Sequence, residues 1–314
     1  MNPSDGYIAY IVNPKSGASS ANRMVTEFKG YLLENGFDVR TMFTQSLTHA
    51  GELSTKAAVD YNCKIVVVAG GDGTVREVAH GLEGTEKPLL TIPCGTENLI
   101  ANELGFDEKT KTLIKAFEAG CTRQFDLGRA NGKCFAAITG FGFDGDVVKR
   151  VSQLRSGHIN HLDYFWPIWR TFWTHEFPHI NVVVDEKEVF DGIGLVFVGN
   201  ISRYAVGIEI LHYADFSDGL LDVCIYKCAS RLHLVKHSLM TIIKHHADRK
   251  DVIYRQGKTI EITSDSEDIS TQIDGDPGSD LPLKIEIIPQ AVKVTVPPNA
   301  KPAGMITRLI RILG

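Results

Sequence analysis

The chain is predicted to be an α/β protein in two parts, a doubly wound parallel-sheet domain followed by a β-rich antiparallel sandwich domain. Three observations carry that expectation. Ile65 to Ala69 is an unbroken run of β-branched and small residues, the pattern of a strand covered on both faces of a parallel sheet. Strand-like and helix-like stretches alternate as far as about Gly128, which is the rhythm of crossover connections. From Ile180 onward the stretches INVVV, GLVFVGN, LLDVCIYK, TIEIT, LKIEII and VKVTV are short, β-rich and mostly separated by turns, as in an antiparallel sandwich or barrel.

The elements follow in order. Tyr7 to Val12 is a short apolar strand ending at the turn-forming cluster Asn13-Pro14-Lys15-Ser16-Gly17. Met24, Val25, Phe28, Tyr31 and Leu32 then recur at helical spacing, and Gly36 follows as a stop. Val39 to Thr44 reads as a second strand and Ala50 to Tyr61 as a second helix; the strand at Ile65 comes third, with a helix over Val75 to Leu82. Leu89 to Ile92 is a fourth strand, broken by Pro93-Cys94-Gly95-Thr96 before helices over Glu97 to Leu104 and Glu108 to Ala119, and Thr122 to Leu127 closes this half. Ligands of doubly wound sheets sit at the carboxyl ends of strands. Asn13, Thr44, Gly71 to Thr74 and Gly95-Thr96 all fall at such ends.

In the second half, Cys134 to Phe143 is strand-like, helices are expected near Asp146 to Leu154, Asn160 to His175 and Arg231 to His245, and Asp185-Glu186 marks a turn. Met305, Ile306, Leu309, Ile310 and Leu313 share one helical face, which either packs on the first domain or lies on a bilayer surface. The expected domains are residues 1–128, with 299–314 packing back on them, and residues 129–298.

With 314 residues, 43% of them hydrophobic, the chain is long enough for two cores. A net charge of -5 gives no electrostatic case for nucleic acid. The six cysteines form no C-x-x-C pair and several lie in apolar runs, so reduced core thiols in a cytoplasmic protein are expected. No apolar run approaches the ~18 residues of a membrane span, and MNPSDGYIAYIVNP lacks the features of a secretion signal. A peripheral position on the inner face of the membrane stays open, as does a homodimer.

The stretch KIVVVAGGDGTVRE, Lys64 to Glu77, organises the first half. Three glycines in four positions after a buried strand let an anion approach the main chain, and amides opening the next helix would point at it. Asp72 would repel a bare phosphate, so a cation such as Mg²⁺ or a proton belongs between them. Gly-Gly-Asp-Gly also makes an ordinary tight turn. No Gly-Lys-Ser/Thr follows, and the dinucleotide fingerprint is absent.

At IVNPKSG (Ile11 to Gly17), VVVAGGDGTVREV (Val66 to Val78), IPCGTEN (Ile92 to Asn98), DFSDGLLDV (Asp215 to Val223) and QIDGDP (Gln272 to Pro277) the chain resembles the diacylglycerol kinase catalytic family, whose relatives include sphingosine and ceramide kinases. The glycine-loop block alone is shared with NAD kinases and 6-phosphofructokinases; the five together, in order and over nearly the whole chain, are specific. The resemblance implies an ATP-dependent lipid kinase, with Mg²⁺ as cofactor and its active site in a cleft between a nucleotide domain and a lipid domain. It implies an ATP site of Asn13, Thr44, Gly71, Asp72, Gly73, Thr74, Val75, Arg76, Glu77 and Thr96, in which the main chain of Gly71, Gly73 and Thr74 holds phosphates and Asp72 lies near Mg²⁺. It also implies a structural Mg²⁺ on Asp215, Asp218 and the carbonyl of Leu220. Two carboxylates three apart before Gly219 suit one hard cation, or a plain hairpin turn.

Asp274 and Asp276 flank Gly275. On a persisting strand both carboxylates would face one side; the other reading is an Asp-Gly turn. The resemblance makes Asp276 the proton acceptor, at a position that is usually Glu in the family, with Asp72 as rival and Asp274 beside it. One departure is Leu99, which replaces the family's usual carboxylate after Gly95-Thr96-Glu97-Asn98 and shifts its work elsewhere, with Glu97 as a candidate.

All three tryptophans, Trp166, Trp169 and Trp173, fall at helical spacing, with Tyr164, Phe165, Phe172 and Phe177 nearby. They make either an ordinary core or a lipid-touching lip. His158 with His161, His175 with His179, and His245-His246 lack a cysteine or acidic partner at ligand spacing, so a zinc site is not expected. The acceptor implied is diacylglycerol or a related lipid alcohol at a membrane surface. The alternatives are a kinase of a soluble acceptor such as NAD, and a nucleotide- or lipid-binding protein without catalysis.

Overall fold

In the computed structural model, residues 2–17, 19–154, 165–266 and 269–300 are described. The chain divides into two units, one over Met1–Leu127 joined by the stretch that begins at Pro289, the other over Gly128–Ile288. The apolar face at Met305 to Leu313 lies outside the described residues.

The first unit runs β1 (Tyr7–Val12), α1 (Ser19–Glu34), β2 (Asp38–Phe43), α2 (Leu47–Val59), β3 (Cys63–Gly70), α3 (Asp72–Gly81), β4 (Thr85–Pro93), α4 (Leu99–Glu103), α5 (Thr110–Ala119) and β5 (Thr122–Ala130). Strand β1 lies between β2 and β3, parallel to both, and β4 extends the parallel set beyond β3. Seven of the eight residues of β3 are buried, as its unbroken apolar run requires. Met24, Phe28 and Leu32, four residues apart, are the buried stripe of α1. The ring of Phe28 meets Phe117 of α5 edge to face at 6.1 Å. Ser46 caps α2 by accepting the amide of His49, and Gly120 ends α5 in a left-handed turn. Helix α3 opens at Asp72, earlier than the predicted Val75, which puts the acid of the glycine loop inside the first helical turn.

The second unit runs β6 (Lys133–Phe135), β7 (Ile138–Phe141), α6 (Phe143–Leu154), α7 (Phe165–Thr174), β8 (His179–Val184), β9 (Lys187–Gly199), β10 (Leu221–Lys227), α8 (Arg231–Ile242), β11 (Val252–Gly257), β12 (Thr259–Ser264), β13 (Thr271–Ile273), β14 (Asp276–Pro277) and the first part of β15 (Leu283–Thr295). Its pairings are antiparallel. The long strand β9 pairs with β8 along most of its length and with β7 and β10 through its second half. Alternation assigns its two faces: Val196 and Val198 enter one apolar cluster with Val223, Ile225, Ile260 and Ile262, while Leu195 and Phe197 enter another with Cys224, Tyr226 and Leu234. The later part of β15 returns to the first unit and pairs in parallel with β4 through Val292 and Val294. All six cysteines are free thiols. No helix among the described residues is long and apolar enough to cross a membrane.

Candidate active site

In the first unit the carboxyl ends of β1, β3 and β4 converge. The Asn13 amide donates to the Ala69 carbonyl at 2.9 Å, and the Cys94 amide donates to the Gly70 carbonyl at 3.1 Å, so the three loops leave the sheet together. Asn13 Nδ2 also donates to Thr74 Oγ1 at 2.9 Å, tying the loop after β1 to the first turn of α3. Thr44 is buried at the end of β2, and its amide donates to the Val12 carbonyl.

The glycines are required by a main-chain crossing. A Cβ placed on Gly95 would stand 2.7 Å from the Gly71 Cα, and one on Gly71 would stand 3.2 Å from the Gly95 Cα. Gly95 has no room for a side chain, and Gly71 has room for one only if the facing main chain gives way. Asn98, left-handed at φ 52°, closes the Gly95 turn: its Oδ1 accepts the Gly95 amide at 2.6 Å and its Nδ2 donates to the Gly95 carbonyl at 3.0 Å. Asp72 Oδ1 accepts the Ile100 amide at 2.9 Å, at the opening of α4 directly after Leu99.

The remaining residues implied for ATP divide. The Thr74 amide already donates to the Gly71 carbonyl at 2.9 Å, so within this loop its main chain is engaged in the turn. Val75 is buried in the apolar interior with Val78 and Ala79. Arg76 is buried too and pairs at 3.0 Å with Glu77, which itself lies against Gly51 of α2. Thr96 is exposed in the turn after β4.

In the second unit Asp215 and Asp218 share one turn with Gly219 at φ 73°. Asp215 Oδ1 accepts the Ser217 amide at 3.1 Å and hydroxyl at 2.7 Å, and Asp218 Oδ1 accepts the Leu220 amide at 3.1 Å. These bonds hold the two carboxylates within one loop, a hard-oxygen set of the kind that suits Mg²⁺. Among the described residues no cluster of three or more histidine, cysteine or acidic side chains could hold a metal.

The strand expected through Asp274 and Asp276 does not persist. Ile273 pairs with Asp276, so Asp274 (φ 48°) and Gly275 (φ 80°) are the two corner residues of a tight hairpin, a geometry that favours an Asp-Gly pair because both corners have positive φ. The two carboxylates therefore have separate surroundings. Asp274 accepts three main-chain amides, Ala136 at 2.8 Å and Ala137 and Ile138 at 2.9 Å each, and is a brace for the chain entering β7. Asp276 is partly exposed on β14.

Three residues that the sequence did not single out stand beside this hairpin. Gln272 Oε1 accepts the Gly275 amide at 2.8 Å. Asp144, in the first turn of α6, is buried and accepts the Tyr204 hydroxyl. Burial pushes the Asp144 carboxyl up to about 6, opposed by the Tyr204 hydroxyl and the Gln272 side chain, which favour the carboxylate. Gly140 leaves room for this carboxyl, since a Cβ there would stand 2.1 Å from Asp144 Oδ2. His175, outside any metal cluster, is buried and its Nδ1 lies 2.8 Å from Asp146 Oδ2.

A parallel α/β unit with a glycine crossing at its carboxyl edge, followed by an antiparallel β unit, defines a two-part kinase class. Residues 8–130 match the diacylglycerol kinase catalytic domain, and residues 137–296 match the YegS C-terminal NAD kinase beta sandwich-like domain. A diacylglycerol kinase of Mycobacterium tuberculosis is 31% identical over 93% of this chain and 96% of its own. One from Bacillus subtilis is 25% identical over 91% and 95%. The crystal structure of a diacylglycerol kinase from Bacillus anthracis shares the fold, with a TM-score of 0.72 at 21% identity over 94% of this chain and 98% of that one. The chain belongs to the diacylglycerol kinase family. Its activity class is that of an ATP-dependent lipid kinase.

Proposed function

We propose that the protein transfers the γ-phosphate of ATP to the hydroxyl of diacylglycerol or a related lipid alcohol at a membrane surface. The observation that carries this reading is the Gly71–Gly95 crossing, where two loops meet main chain to main chain beside a helix N-terminus. Such a surface lets phosphate oxygens approach amides directly. The amides of Gly71 and Gly73 hold the phosphates. Asn13 fixes the Thr74 hydroxyl, and Thr44 and Thr96 border the nucleotide.

In the transfer, the lipid hydroxyl oxygen bonds to the γ-phosphorus while the bond from that phosphorus to the β,γ-bridging oxygen breaks. ADP leaves with the electron pair, and the hydroxyl proton passes to a carboxylate and then to water. Asp276 takes that proton, as the resemblance to the family implies for its position; Asp274 accepts three main-chain amides and Asp72 accepts that of Ile100. Mg²⁺, when bound, offsets the phosphate charge. Asp72 would orient it, and Asp215, Asp218 and the Leu220 carbonyl would hold a second, structural ion.

The test is transfer of labelled γ-phosphate to a panel of diacylglycerol, sphingosine, ceramide, phosphatidylglycerol and NAD, with and without Mg²⁺. Label on diacylglycerol or another lipid alcohol that drops by ~10²-fold or more in Asp276→Asn supports the reading. Label on NAD alone, or no label on any acceptor, overturns it.

A further inference from the structure

Two helices of the second unit are built inside out. Helix α7 buries Pro167 and Thr171 and exposes Trp166, Trp169 and Trp173, at 62%, 48% and 54% of full exposure. Helix α8 buries His237 and Thr241 beside Leu234, and exposes Leu232 (82%), Val235, Leu239 and Ile242. The inward polar groups are held: His237 Nε2 donates to the Lys227 carbonyl at 3.1 Å, and Thr241 Oγ1 lies 2.9 Å from the Tyr226 hydroxyl. A helix facing water turns its apolar stripe to the core. Here each stripe runs along the outside.

The two stripes are joined. Arg231, the first residue of α8, donates from Nε to the Phe172 carbonyl at 2.9 Å and from Nη2 to the Trp173 carbonyl at 2.6 Å. That clasp brings the Trp173 end of one stripe to the Leu232 end of the other. Neither helix contains Asp or Glu, while they carry Arg170, Arg231 and Lys236 on a chain of net charge -5. Lys236 meets Asp251 from outside the helix.

We infer that α7 and α8 form a docking face for an anionic lipid bilayer. Tryptophan is the side chain best suited to the boundary between acyl chains and water, and leucine and isoleucine to the acyl region just below it. Arg170 and Arg231, on helices that contain no carboxylate, complement anionic head groups. A two-fold contact between copies of this face would instead set these arginines against a second cationic face. The inference deepens the proposed function by naming the surface that meets the lipid phase, and it rests on that reading only for the choice of a bilayer.

All three tryptophans of the chain lie on α7, so tryptophan emission, excited selectively over the tyrosines, reports on this helix alone. The full chain, without ATP, is mixed with vesicles of phosphatidylcholine and phosphatidylglycerol carrying brominated acyl chains. The expected result is a blue shift and bromine quenching of the emission, weaker with phosphatidylcholine alone. Leu239→Glu should weaken vesicle affinity on the order of tenfold or more with the urea midpoint unchanged. Emission indifferent to anionic vesicles, wild-type vesicle affinity in Leu239→Glu, or a blue shift that follows self-association in sedimentation without lipid would each overturn the inference. Because no turnover is read, quenching by vesicles together with a blank phosphate-transfer panel would reject the proposed function and leave the docking face standing.

Discussion

The Asp72 carboxylate accepts the main-chain amide of Ile100 at 2.9 Å, so the acid of the glycine loop also holds the opening turn of α4. Leu99, which stands where the family usually has a carboxylate, is the residue just before that amide. A side chain in the first turn of α3 thus holds the start of α4, and its structural and chemical roles can be separated by substitution.

Asp72→Asn keeps an oxygen acceptor for Ile100, whereas Asp72→Leu removes it. Urea unfolding should show Asp72→Asn within ~1 kcal/mol of wild type and Asp72→Leu about 2 kcal/mol less stable. Phosphate transfer should fall by ~10²-fold or more in both. Equal stabilities with retained transfer in Asp72→Asn would remove Asp72 from the chemistry.

Asp274 and Asp276, two residues apart, should behave oppositely. Asp274→Ala leaves three main-chain amides without their acceptor and should cost about 3 kcal/mol or more. Asp276→Asn should stay within ~1 kcal/mol of wild type while losing transfer. Paired urea titrations and rate measurements on the two variants check this.

Gly95→Ala drives a methyl group to within 2.7 Å of the Gly71 Cα. One of the two loops must shift, at a cost of roughly 1–3 kcal/mol. Nucleotide affinity, read by titration calorimetry, should fall in Gly95→Ala. Gly84→Ala is the control: it lies where a Cβ meets nothing within 4 Å but has φ 73°, so it should lose some stability without losing nucleotide affinity.

Asp144 makes a pH prediction. Its folded-state pKa is raised from 3.8 to about 6, so the folded protein binds more protons than the unfolded chain between those values, and stability falls as pH rises through that window. The penalty is absent below 3.8 and complete above about 6, amounting to about 3 kcal/mol. Asp144→Asn cannot ionise. Its stability relative to wild type should therefore rise with pH across this window and level off above it, as read from urea midpoints at a series of pH values.

Much of the fold was legible because burial leaves a local trace. The apolar run of β3, the four-residue spacing of Met24, Phe28 and Leu32, and the short β-rich stretches separated by turns after Ile180 are each local patterns that name an element. The Gly71 to Thr74 loop was legible for the same reason, since clustered glycines after a buried strand mark a close approach. Other features left a weaker trace or two readings. Asp274-Gly275 fits a strand continuation or a hairpin, and only the pairing of Ile273 with Asp276 separates them. The tryptophans at helical spacing announced a stripe without saying which way it turned, and the core reading of them is overturned by their exposure. Asp144, two residues before the expected helix start at Asp146, carries no local sign of its burial.

The order of amino acids by itself determined the α/β rhythm, the β-rich second half, the glycine loop and the motif blocks of a lipid kinase, because each depends on neighbours within a few positions. Tertiary structure alone decided that Gly71 must face Gly95, that Asp274 braces Ala136 to Ile138, that Asp144 lies buried beside Gln272, and that α7 and α8 turn their apolar stripes outward. The physical reason is that these properties belong to pairs of residues far apart in the chain. Burial, hydrogen-bond partnership and a displaced pKa are set by what folding brings alongside, and a side chain's type does not record its distant neighbour.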